Sequence, residues 1–531
     1  MARPHATGAE LAFPAPADQL FTATEVNEWA WQQALEGAGE ALPRPHAPGH
    51  PALWDEAQAF GTLRALAAAE GNPALRSLLD AARARRLPVL LDDGTLSLGS
   101  GVQGRSWPLE ALPAPAEVPW EALGPVPTAL VTGSNGKTTT VRLLAALASA
   151  QGLVPGHCCT DGVVVGGDLL ESGDYSGPGG ARAVLRHPAV QAAILETARG
   201  GILRRGLAME RADVAVVTNI SADHFGEYGI HSLEDLADVK LVVARALGPT
   251  GLLVLNADDP VLAARAIGLG CPVGWFAADL GHPRLAAGNA CGVRDGRLVL
   301  RWRGQAHDLG AVRDLPLSAG GHAAYNVANL AASALAAAGL GLDPGRFPAV
   351  LAAFGRDRRD NPGRLETWRM GGLTIFMDYA HNPEGLAGLL GVARALLHQG
   401  EGSPRGPGAG RLGLLLSQAG NREDDAIRAL AATAAAFHPD LVILKDLAEY
   451  LRGREHGEVP AILAEELSRR GLGADRMRTV VEESDAVGGL LAWARPGDVL
   501  VMPIHGPKAR AAVAEMLDGL ASMGWVPGSQ A

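Results

Sequence analysis

The chain has 531 residues, of which 47% are hydrophobic and 19% are charged. This length predicts about three domains, and this balance predicts a globular fold, which excludes a single small binding module and a wholly disordered chain. Lys and Arg number 46 against 57 Asp and Glu, a formal net charge of −11. The basic surface typical of nucleic-acid-binding proteins is therefore not expected.

The four cysteines, Cys158, Cys159, Cys271 and Cys291, lack the paired CxxC spacing of zinc sites and the density of a disulfide framework. The N-terminus has no signal-peptide pattern, and no stretch approaches the ~18–20 consecutive apolar residues of a spanning helix. We therefore expect a cytoplasmic protein that binds neither a membrane nor nucleic acid.

Residues 1–124 are predicted to form a small α+β domain, to which the motifs assign no role. Helix patterns at 57–70 and 74–86 precede two short apolar runs, at 87–93 and 95–100, that are typical of strands. Prolines then cluster between Pro108 and Pro127, which indicates a linker.

Residues 125–361 alternate between strand and helix patterns. Strands are predicted at 128–132, 192–196, 214–220 and 251–256, and helices at 233–247 and 323–341. This βαβ alternation predicts a mainly parallel sheet covered by helices. A second alternation within residues 362–531 predicts a C-terminal Rossmann-like α/β domain.

Residues 132–139 read Thr-Gly-Ser-Asn-Gly-Lys-Thr-Thr between the first of these strands and a helix, where a phosphate-binding loop lies. Glycines let backbone N–H groups approach phosphates, Lys137 supplies a positive charge, and Thr138 offers a hydroxyl to Mg²⁺. The longer Walker pattern would place glycine where this chain has Val131. A glycine-rich turn with a surface lysine is the alternative. The predicted ATP contacts are Gly133, Asn135, Gly136, Lys137, Thr138 and Thr139.

Metal-binding candidates follow two other strands of the same predicted sheet. Glu196 ends one strand, and His224 lies in the Ser-Ala-Asp-His segment after the next. Because the carboxyl ends of parallel strands share one edge, these side chains should converge with Thr138 on Mg²⁺. A surface turn is the alternative for His224, and a solvated helix lysine is the usual explanation for Lys240.

Seven motifs, in this order, resemble those of the Mur ligases, the ATP-dependent amide-bond-forming family of peptidoglycan assembly and folate polyglutamylation. They are TGSNGKTTT, the strand ending in Glu196, TNISADHFGEYG, NADDP, the helix with Asn326 and Asn329, PGRLE and DYAHNPEGL. Within that family, LETARGGILRRGL and SADHFGEYGIHSLEDLADVK are most similar to the Mur-like half of cyanophycin synthetase. We expect no ATP-grasp domain, because only about 120 residues precede the Mur-like part and such a domain needs more.

The resemblance implies a central ATP-binding domain of Mur ligase type with named roles for its residues. Lys137 would neutralise phosphate charge, Thr138 and Glu196 would hold one Mg²⁺, and His224 would help to hold a second. Lys240 matches a lysine that several family members carry as a carbamate. Together Lys137, Glu196, His224 and Lys240 form the expected catalytic set. Further implied ATP contacts are Asn256, Asn326, Arg364 and Asp378.

The resemblance also implies where the substrates bind. The segments near Thr160 and Ser176 would receive the carboxylate, and the loop after the strand at 441–446 would meet the amine. A solvated helix or loop position is the alternative for each charged residue there. The substrate-binding candidates are Thr160, Asp161, Ser176, Arg199, His381, Asn382, Arg422, Asp446, Arg452 and Arg454.

The implied function is an ATP-dependent ligase that activates a carboxylate as an acyl phosphate and joins it to an amino acid amine. Arginine joined to an aspartyl acceptor is one interpretation. A cell-wall or folate-like acceptor is another, and an accessory ATP-binding subunit of a cyanophycin-type synthetase is a third. The expected partners are thus an amino acid and a carboxylate-bearing peptide, with a second copy of the chain or a separate ATP-grasp ligase as protein partners.

Overall fold

The computed structural model describes residues 2–5, 8–11, 13–37, 56–223, 225–399 and 410–529. The chain divides into two compact units, Met1–Pro125 and Val126–Ala531. Within the described ranges, no helix is both long and apolar enough to cross a membrane. The three-domain boundaries expected from the sequence remain a prediction.

In the described ranges of the first unit, three helices combine with two small antiparallel sheets. Its elements are β1 (Ala2–His5), β2 (Gly8–Leu11), α1 (Leu20–Gly37), α2 (Glu56–Glu70), α3 (Pro73–Ala84), β3 (Val89–Leu91), β4 (Thr95–Leu98) and β5 (Arg105–Pro108). Asn72 caps α3 by accepting a hydrogen bond from the Leu75 N–H at 2.9 Å. The apolar face of α3, with Leu78, packs against Leu96 and Leu98 of β4 and forms the core of this unit.

An 11-stranded sheet opens the second unit. Its strands are β6 (Thr128–Thr132), β7 (Pro155–Cys159), β8 (Gly162–Val165), β9 (Asp168–Ser172), β10 (Ala192–Glu196), β11 (Ala212–Val217), β12 (Leu247–Asn256), β13 (Val273–Asp279), β14 (Ala290–Arg294), β15 (Arg297–Trp302) and β16 (Gln305–Ala311). The spatial order is β16-β15-β14-β13-β12-β11-β6-β10-β7-β8-β9. The strands from β14 to β7 are parallel, and antiparallel strands extend both edges.

Helices cover this first sheet. They are α4 (Lys137–Ser149), α5 (Pro178–Arg186), α6 (Arg199–Arg205), α7 (Leu233–Lys240), α8 (Pro260–Arg265), α9 (Ala324–Gly339) and α10 (Phe347–Ala353). Leu143 and Leu147 of α4 share one buried cluster with Leu335 of α9 and with the strands beneath. The glycine-ended helix expected at 323–341 is thus the α9 that packs against the phosphate-loop helix.

The helix expected at 233–247 is shorter than predicted. The α-helical part ends at Lys240, and Leu241–Ala246 continues as a 3₁₀ helix before β12 begins. Val242 and Val243 are β-branched, which lowers α-helical propensity at this point, and the tighter 3₁₀ form is common where a helix hands over to another element. As a result, Lys240 occupies the last turn of α7.

A six-stranded sheet completes the second unit. Its elements are β17 (Glu366–Met370), β18 (Leu373–Asp378), α11 (Pro383–Gln399), β19 (Leu412–Leu416), α12 (Asp424–Ala436), β20 (Leu441–Lys445), α13 (Glu458–Arg469), β21 (Met477–Val480), α14 (Glu483–Trp493), β22 (Val499–Pro503) and α15 (Pro507–Ser522). The order is β17-β18-β22-β19-β20-β21, and only β17 is antiparallel to its neighbour. The wholly buried runs of β19, β20 and β22 fit a parallel sheet covered on both faces.

The carboxyl ends of both sheets face one cleft. Residues that follow β6, β10 and β11 of the first sheet and β18 and β22 of the second line the same cavities. Such strand ends are where α/β sheets bind ligands. The predicted class, a phosphate-loop parallel-sheet domain followed by a second α/β domain, is confirmed.

Candidate active site

The phosphate loop joins β6 to α4 and turns at two glycines. Gly133 and Gly136 have φ angles of 140° and 82°. A Cβ atom on Gly133 would lie 1.8 Å from Thr218 Oγ1, and one on Gly136 would lie 2.2 Å from Asn329 Oδ1. Both positions therefore require glycine, for conformation and for space. Helix α4 begins directly after this turn, so its unpaired N–H groups face the loop.

Side chains and backbone from the neighbouring strand hold this loop in shape. The Ser134 N–H donates to Asn219 O at 2.9 Å, and the Asn135 N–H donates to Asn219 Oδ1 at 2.8 Å. Lys137 Nζ donates to Ser134 O at 3.0 Å. Sequence reasoning missed Asn219, although it stands at a strand end in the TNISADH motif. The loop is thus formed before any ligand binds.

Glu196 lies at the centre of a set of oxygen atoms. Thr138 Oγ1 donates to Glu196 Oε2 at 2.9 Å, and Thr160 Oγ1 donates to Glu196 Oε1 at 3.1 Å. Carboxylate and hydroxyl oxygens beside a phosphate site are the ligands that Mg²⁺ takes, usually with one or two carboxylates and the substrate phosphates. Thr138 and Glu196 therefore fit Mg²⁺.

No cluster of three or more His, Cys, Asp or Glu side chains suited to a metal occurs in the part of the chain that the structure describes. A metal at Glu196 would thus depend on nucleotide oxygens for most of its remaining ligands. His224, the second predicted metal ligand, lies outside the described residues.

Lys240 is not the solvated helix lysine that its sequence position alone indicates. Its side chain is buried, and Nζ donates to Gly133 O at 2.7 Å. Burial lowers the pKa of Lys240 well below its ordinary value, and the nearby Lys137 charge lowers it further. The fold thus places an amine of reduced basicity directly beneath the phosphate loop.

A cavity of about 220 Å³ lies between the phosphate loop and the end of β18. The structure brings nine of the ten predicted ATP contacts together around it, and Gly133 lines the adjoining cavity. The nine are Asn135, Gly136, Lys137, Thr138, Thr139, Asn256, Asn326, Arg364 and Asp378.

Asp378 and Asn326 are held at the cavity wall by hydrogen bonds to the protein backbone. Asp378 accepts hydrogen bonds from the Leu365 and Ala380 N–H groups at 2.6 and 2.7 Å. Burial raises the pKa of Asp378, although the Arg364 charge opposes that rise. Asn326 donates to Leu317 O at 3.0 Å. Both side chains are therefore held rigidly at the cavity wall.

Tyr325 is a residue of this cavity that sequence reasoning missed. Its hydroxyl is buried and has no hydrogen-bond partner among the described residues. A buried, unpaired hydroxyl at a cavity wall is a candidate contact for a polar ligand atom. Its only sequence signal is its place next to Asn326, and a tyrosine at that spacing is more often a core residue.

A second cavity, of about 1120 Å³, adjoins the phosphate loop and also contacts the second sheet. The predicted substrate residues that line it are Thr160, Ser176, Arg199, His381 and Arg452. Glu196 and Lys137 line both cavities. The two cavities therefore meet at Glu196 and Lys137.

Five predicted substrate residues are absent from the wall of this cavity. Asn382 donates to Asn135 Oδ1 at 2.9 Å, and Arg422 pairs with Asp223 at 3.0 Å. Asp446 is buried and accepts from the Gly457 N–H at 2.7 Å. These contacts link the two sheets or fix loops of the second sheet. The five are Asp161, Asn382, Arg422, Asp446 and Arg454.

Arg454 shows why a loop arginine there need not face a substrate. It pairs with Asp424 at 2.7 Å and with Glu458, and it donates to Gly420 O at 2.9 Å. Its guanidinium therefore ties together the loops that precede α12 and α13. Arg452, two residues earlier, has a positive φ of 46° and does reach the larger cavity.

Asp223 is a third residue that sequence reasoning did not select. It follows β11, lines the larger cavity, and lies 3.4 Å from His381 Nε2 as well as beside Arg422. Its partners both belong to the second sheet. Only the neighbouring His224 in the motif could have drawn attention to it.

Comparisons with known proteins agree with this arrangement. Family models described as Mur ligase middle domain and as Mur ligase, glutamate ligase domain match residues 131–337 and 363–503. The UDP-N-acetylmuramate–L-alanine ligase of Kineococcus radiotolerans is 31% identical over 374 residues, which are 70% of each chain. The solved structure of E. coli FolC in complex with DHPP and ADP is 21% identical with a TM-score of 0.55, covering 74% of this chain and 89% of that one.

The cyanophycin synthetase of Trichormus variabilis is 34% identical over 391 residues, or 72% of this chain. Those residues make up 42% of that protein, so the chain spans less than half the length of this relative.

Proposed function

We propose the following reaction from the premise that the chain belongs to the Mur ligase family, whose members are ATP-dependent acid–amino-acid ligases. The γ-phosphoryl group of ATP is transferred to a substrate carboxylate, and the acyl phosphate is then joined to an amino acid amine. One observation carries this proposal: Glu196 and Lys137 stand at the junction of a small cavity and a larger one.

The first half of the reaction requires charge neutralisation on the phosphates. A carboxylate oxygen bonds to the γ-phosphorus, the bond from that phosphorus to the bridging oxygen breaks, and ADP leaves. Lys137 and the N-terminus of α4 stabilise the phosphate charge, and Arg364 reaches Thr138 Oγ1 at 3.3 Å from the other side. Bound at Thr138 and Glu196, Mg²⁺ would add further positive charge to the nucleotide phosphates.

The second half forms the amide. The amine attacks the acyl carbon, loses a proton to solvent, and phosphate departs with the electrons of the carbon–oxygen bond. Positioning the two reactants is the main contribution that the protein can make here. Because the larger cavity adjoins Glu196, an acyl phosphate formed there would meet an amine without leaving the cleft.

For the substrates, we propose arginine as the amine and an aspartyl peptide as the acceptor. The similarity to cyanophycin synthetase over most of the chain supports this choice. The wall of the larger cavity also carries both signs of charge, with Arg452 for a carboxylate and Asp174, which accepts from Ser176, for a guanidinium.

We further propose that Lys240 carries a carbamate. Only a neutral amine attacks carbon dioxide, and burial favours the neutral form of this side chain. The amine nitrogen bonds to the carbon, the electrons of one carbon–oxygen π bond move to that oxygen, and the nitrogen releases a proton, so a neutral amine beneath the phosphate loop becomes an anion. Removal of bicarbonate should lower activity and its return should restore it, whereas Lys240→Arg should show no such response.

The direct test of the function supplies the full-length chain with ATP, Mg²⁺, arginine and a panel of acceptors. Aspartyl peptides, cell-wall peptides and folate-like acceptors are compared by product mass spectrometry. An arginyl amide together with ADP and phosphate supports the full proposal. An amide on another acceptor would overturn the aspartyl assignment alone, and no amide on any acceptor would overturn the ligase function in favour of an accessory subunit.

A further inference from the structure

Asp161 lies between the two sheets rather than at a substrate cavity. It sits in the turn between β7 and β8. Arg142 of α4 approaches its carboxylate at 2.8 Å, Arg364 approaches at 3.8 Å, and Arg510 of α15 pairs with it. The three guanidinium groups come from the phosphate-loop helix, the segment that precedes β17, and the last helix of the second sheet.

These contacts connect Asp161 to Thr138 and Glu196, the candidate ligands of Mg²⁺. Arg364 donates to Thr138 Oγ1, and Thr138 and Thr160 both donate to Glu196. Thr160 is the residue before Asp161. A shift of the Asp161 carboxylate would therefore displace Arg364 and the backbone that carries Thr160. Since Arg364 contacts Thr138, both hydroxyl groups that donate to Glu196 would be affected.

Tyr379 completes the cluster from the second sheet. Its ring lies 4.6 Å from the Arg364 guanidinium and 5.2 Å from that of Arg510. Cations over an aromatic face are stabilised, and the ring also separates two like charges. Tyr379 directly follows Asp378 at the nucleotide cavity, so the cluster is coupled to that wall as well.

Asp161 offsets part of the positive charge of the three guanidinium groups. Burial disfavours its ionised form, but the charges of Arg364, Arg142 and Arg510 outweigh burial and hold its pKa below the ordinary value. Loss of this carboxylate would leave three guanidinium groups close together in a half-enclosed place, where like charges repel. Because Arg364 and Arg510 belong to the second sheet and Arg142 to the first, this repulsion would favour a larger separation of the two sheets.

We propose that Asp161 is a positioning residue that holds the second sheet closed over the phosphate loop and aims Arg364 at the phosphates. The aiming part of this proposal rests on the proposed ligase function, and the closing part does not. It replaces the role of substrate contact that the resemblance implied for Asp161.

The kinetic test compares Asp161→Asn, which keeps the shape and removes the charge, with Asp161→Glu, which keeps the charge. The Asn variant should lower kcat by about tenfold to a hundredfold, the range for a misplaced catalytic group, with the KM of both substrates nearly unchanged. The Glu variant should recover part of kcat. Asp168→Asn, at an exposed position of the same sheet, is the control and should match the unmodified chain.

A distance measurement tests closure without turnover. Spin labels on Ile267→Cys and Met523→Cys, which are 80% and 75% exposed, report the separation of the two sheets in a Cys271→Ser background. In the ligand-free protein, Asp161→Asn should lengthen this distance relative to the parent. Arg510→Gln removes the ion pair with Asp161 from the side of the second sheet and should also lengthen the label distance. This variant provides the same test if Asp161→Asn does not fold.

Two outcomes would overturn the proposal. A raised KM for one substrate with kcat unchanged would make Asp161 a substrate contact, and an unchanged label distance in both variants would show that it does not hold the sheets together. If the unmodified chain makes no amide, the proposed function fails by that result alone, and the label distances still decide whether Asp161 closes the cleft.

Discussion

The carboxyl edges of the two sheets use similar residues for different purposes. Glu196 ends β10 and lines both cavities. Lys445 ends β20 and Asp446 follows it, but both are buried, Lys445 against Glu483 and Asp446 against the Gly457 N–H. A charged residue at a strand end is therefore not by itself a ligand contact. What distinguishes Glu196 from Lys445 and Asp446 is that its side chain lines the cavities.

Topology explains which strand ends reach the ligands. In the second sheet, β22 lies between β18 and β19, so the direction of chain progression reverses there. Ligands bind at such reversals, and Asp378 and His505, at or just after the ends of β18 and β22, line the cavities. The end of β20 lies beyond β19, farther from β22. These strand ends of the second sheet thus differ in their distance from the reversal rather than in the residue types that they carry.

The largest expected effect comes from a substitution at the carboxyl edge of the first sheet. Lys137→Ala removes the charge at the junction of the cavities and should lower kcat by about two to three orders of magnitude, as loss of one charge-stabilising group does. Phosphate release in the presence of both substrates measures it. Lys508→Ala removes an exposed lysine and should have no effect. Equal losses in the two variants would contradict the role given to Lys137.

A substitution in the phosphate loop can disturb the shape of the carboxyl edge of the first sheet without changing its charge. Gly136→Ala would place a Cβ atom 2.2 Å from Asn329 Oδ1 at a φ of 82°. Strain of about 1–3 kcal/mol should weaken ADP binding by about tenfold to a hundredfold in a calorimetric titration. Gly248→Ala, where a Cβ atom meets nothing within 4 Å, should bind ADP as the parent does. Unchanged affinity in Gly136→Ala would mean that the loop does not hold the nucleotide.

A substitution at the carboxyl edge of the second sheet should change the stability of the protein rather than the binding of substrate. Asp446→Ala leaves the half-buried Gly457 N–H without its charged acceptor, which should lower the free energy of unfolding by about 1.5–3 kcal/mol. Urea unfolding measures this loss, and the KM for the amino acid should change less than about twofold, as for a residue outside the substrate site. A large rise in KM with unchanged stability would make Asp446 the substrate contact that the sequence predicted.

The smallest effect concerns a buried histidine of the first sheet that is remote from its edge. Burial, and then the Arg142 charge, lowers the pKa of His157 to about 4 from its usual 6.5. The His157 imidazole is therefore protonated near pH 6.5 in the unfolded chain but only near pH 4 in the folded chain. Stability is thus full above pH 6.5 and falls as the pH is lowered towards 4.

From pH 7 to pH 5 this linkage should cost the folded protein about 2 kcal/mol. His157→Phe removes the titrating group, and the His157 Nδ1 atom has no hydrogen-bond partner that would be lost among the described residues. The variant should therefore lose about 2 kcal/mol less than the parent over this interval in urea unfolding. Identical pH dependence in both proteins would contradict the lowered pKa.

The sequence predicted those parts of the molecule that depend on local patterns. The phosphate loop, the strand ending in Glu196 and the parallel centre of the first sheet all follow from a strand, a turn and a helix in direct succession. The antiparallel strands at the sheet edges were not predicted, because outer strands such as β9 and β16 are largely exposed and lack the continuous apolar runs of the central strands. The length of α7 was overestimated, because its hydrophobic period continues through the 3₁₀ turns.

The roles of Asp161 and Asp446 could not be read from the sequence for a different reason. Asp161 and Arg510 are 349 residues apart, and no local pattern indicates that they meet. Asp446 Oδ2 accepts from the Gly457 N–H and lies 3.3 Å from His456 Nδ1, and the position of both depends on the turn before α13. Residue type and strand position predicted the neighbourhood correctly, and only the folded contacts separated ligand-facing groups from structural ones.

One measurement tests the central claim, carboxylate activation by phosphoryl transfer at the junction of the two cavities. The acceptor is prepared with its carboxylate oxygens labelled with a heavy isotope, and the full-length chain is given ATP, Mg²⁺ and the amino acid. The account predicts one labelled oxygen in the released phosphate for each amide formed. Amide formation with unlabelled phosphate, or with the label in AMP, would contradict it.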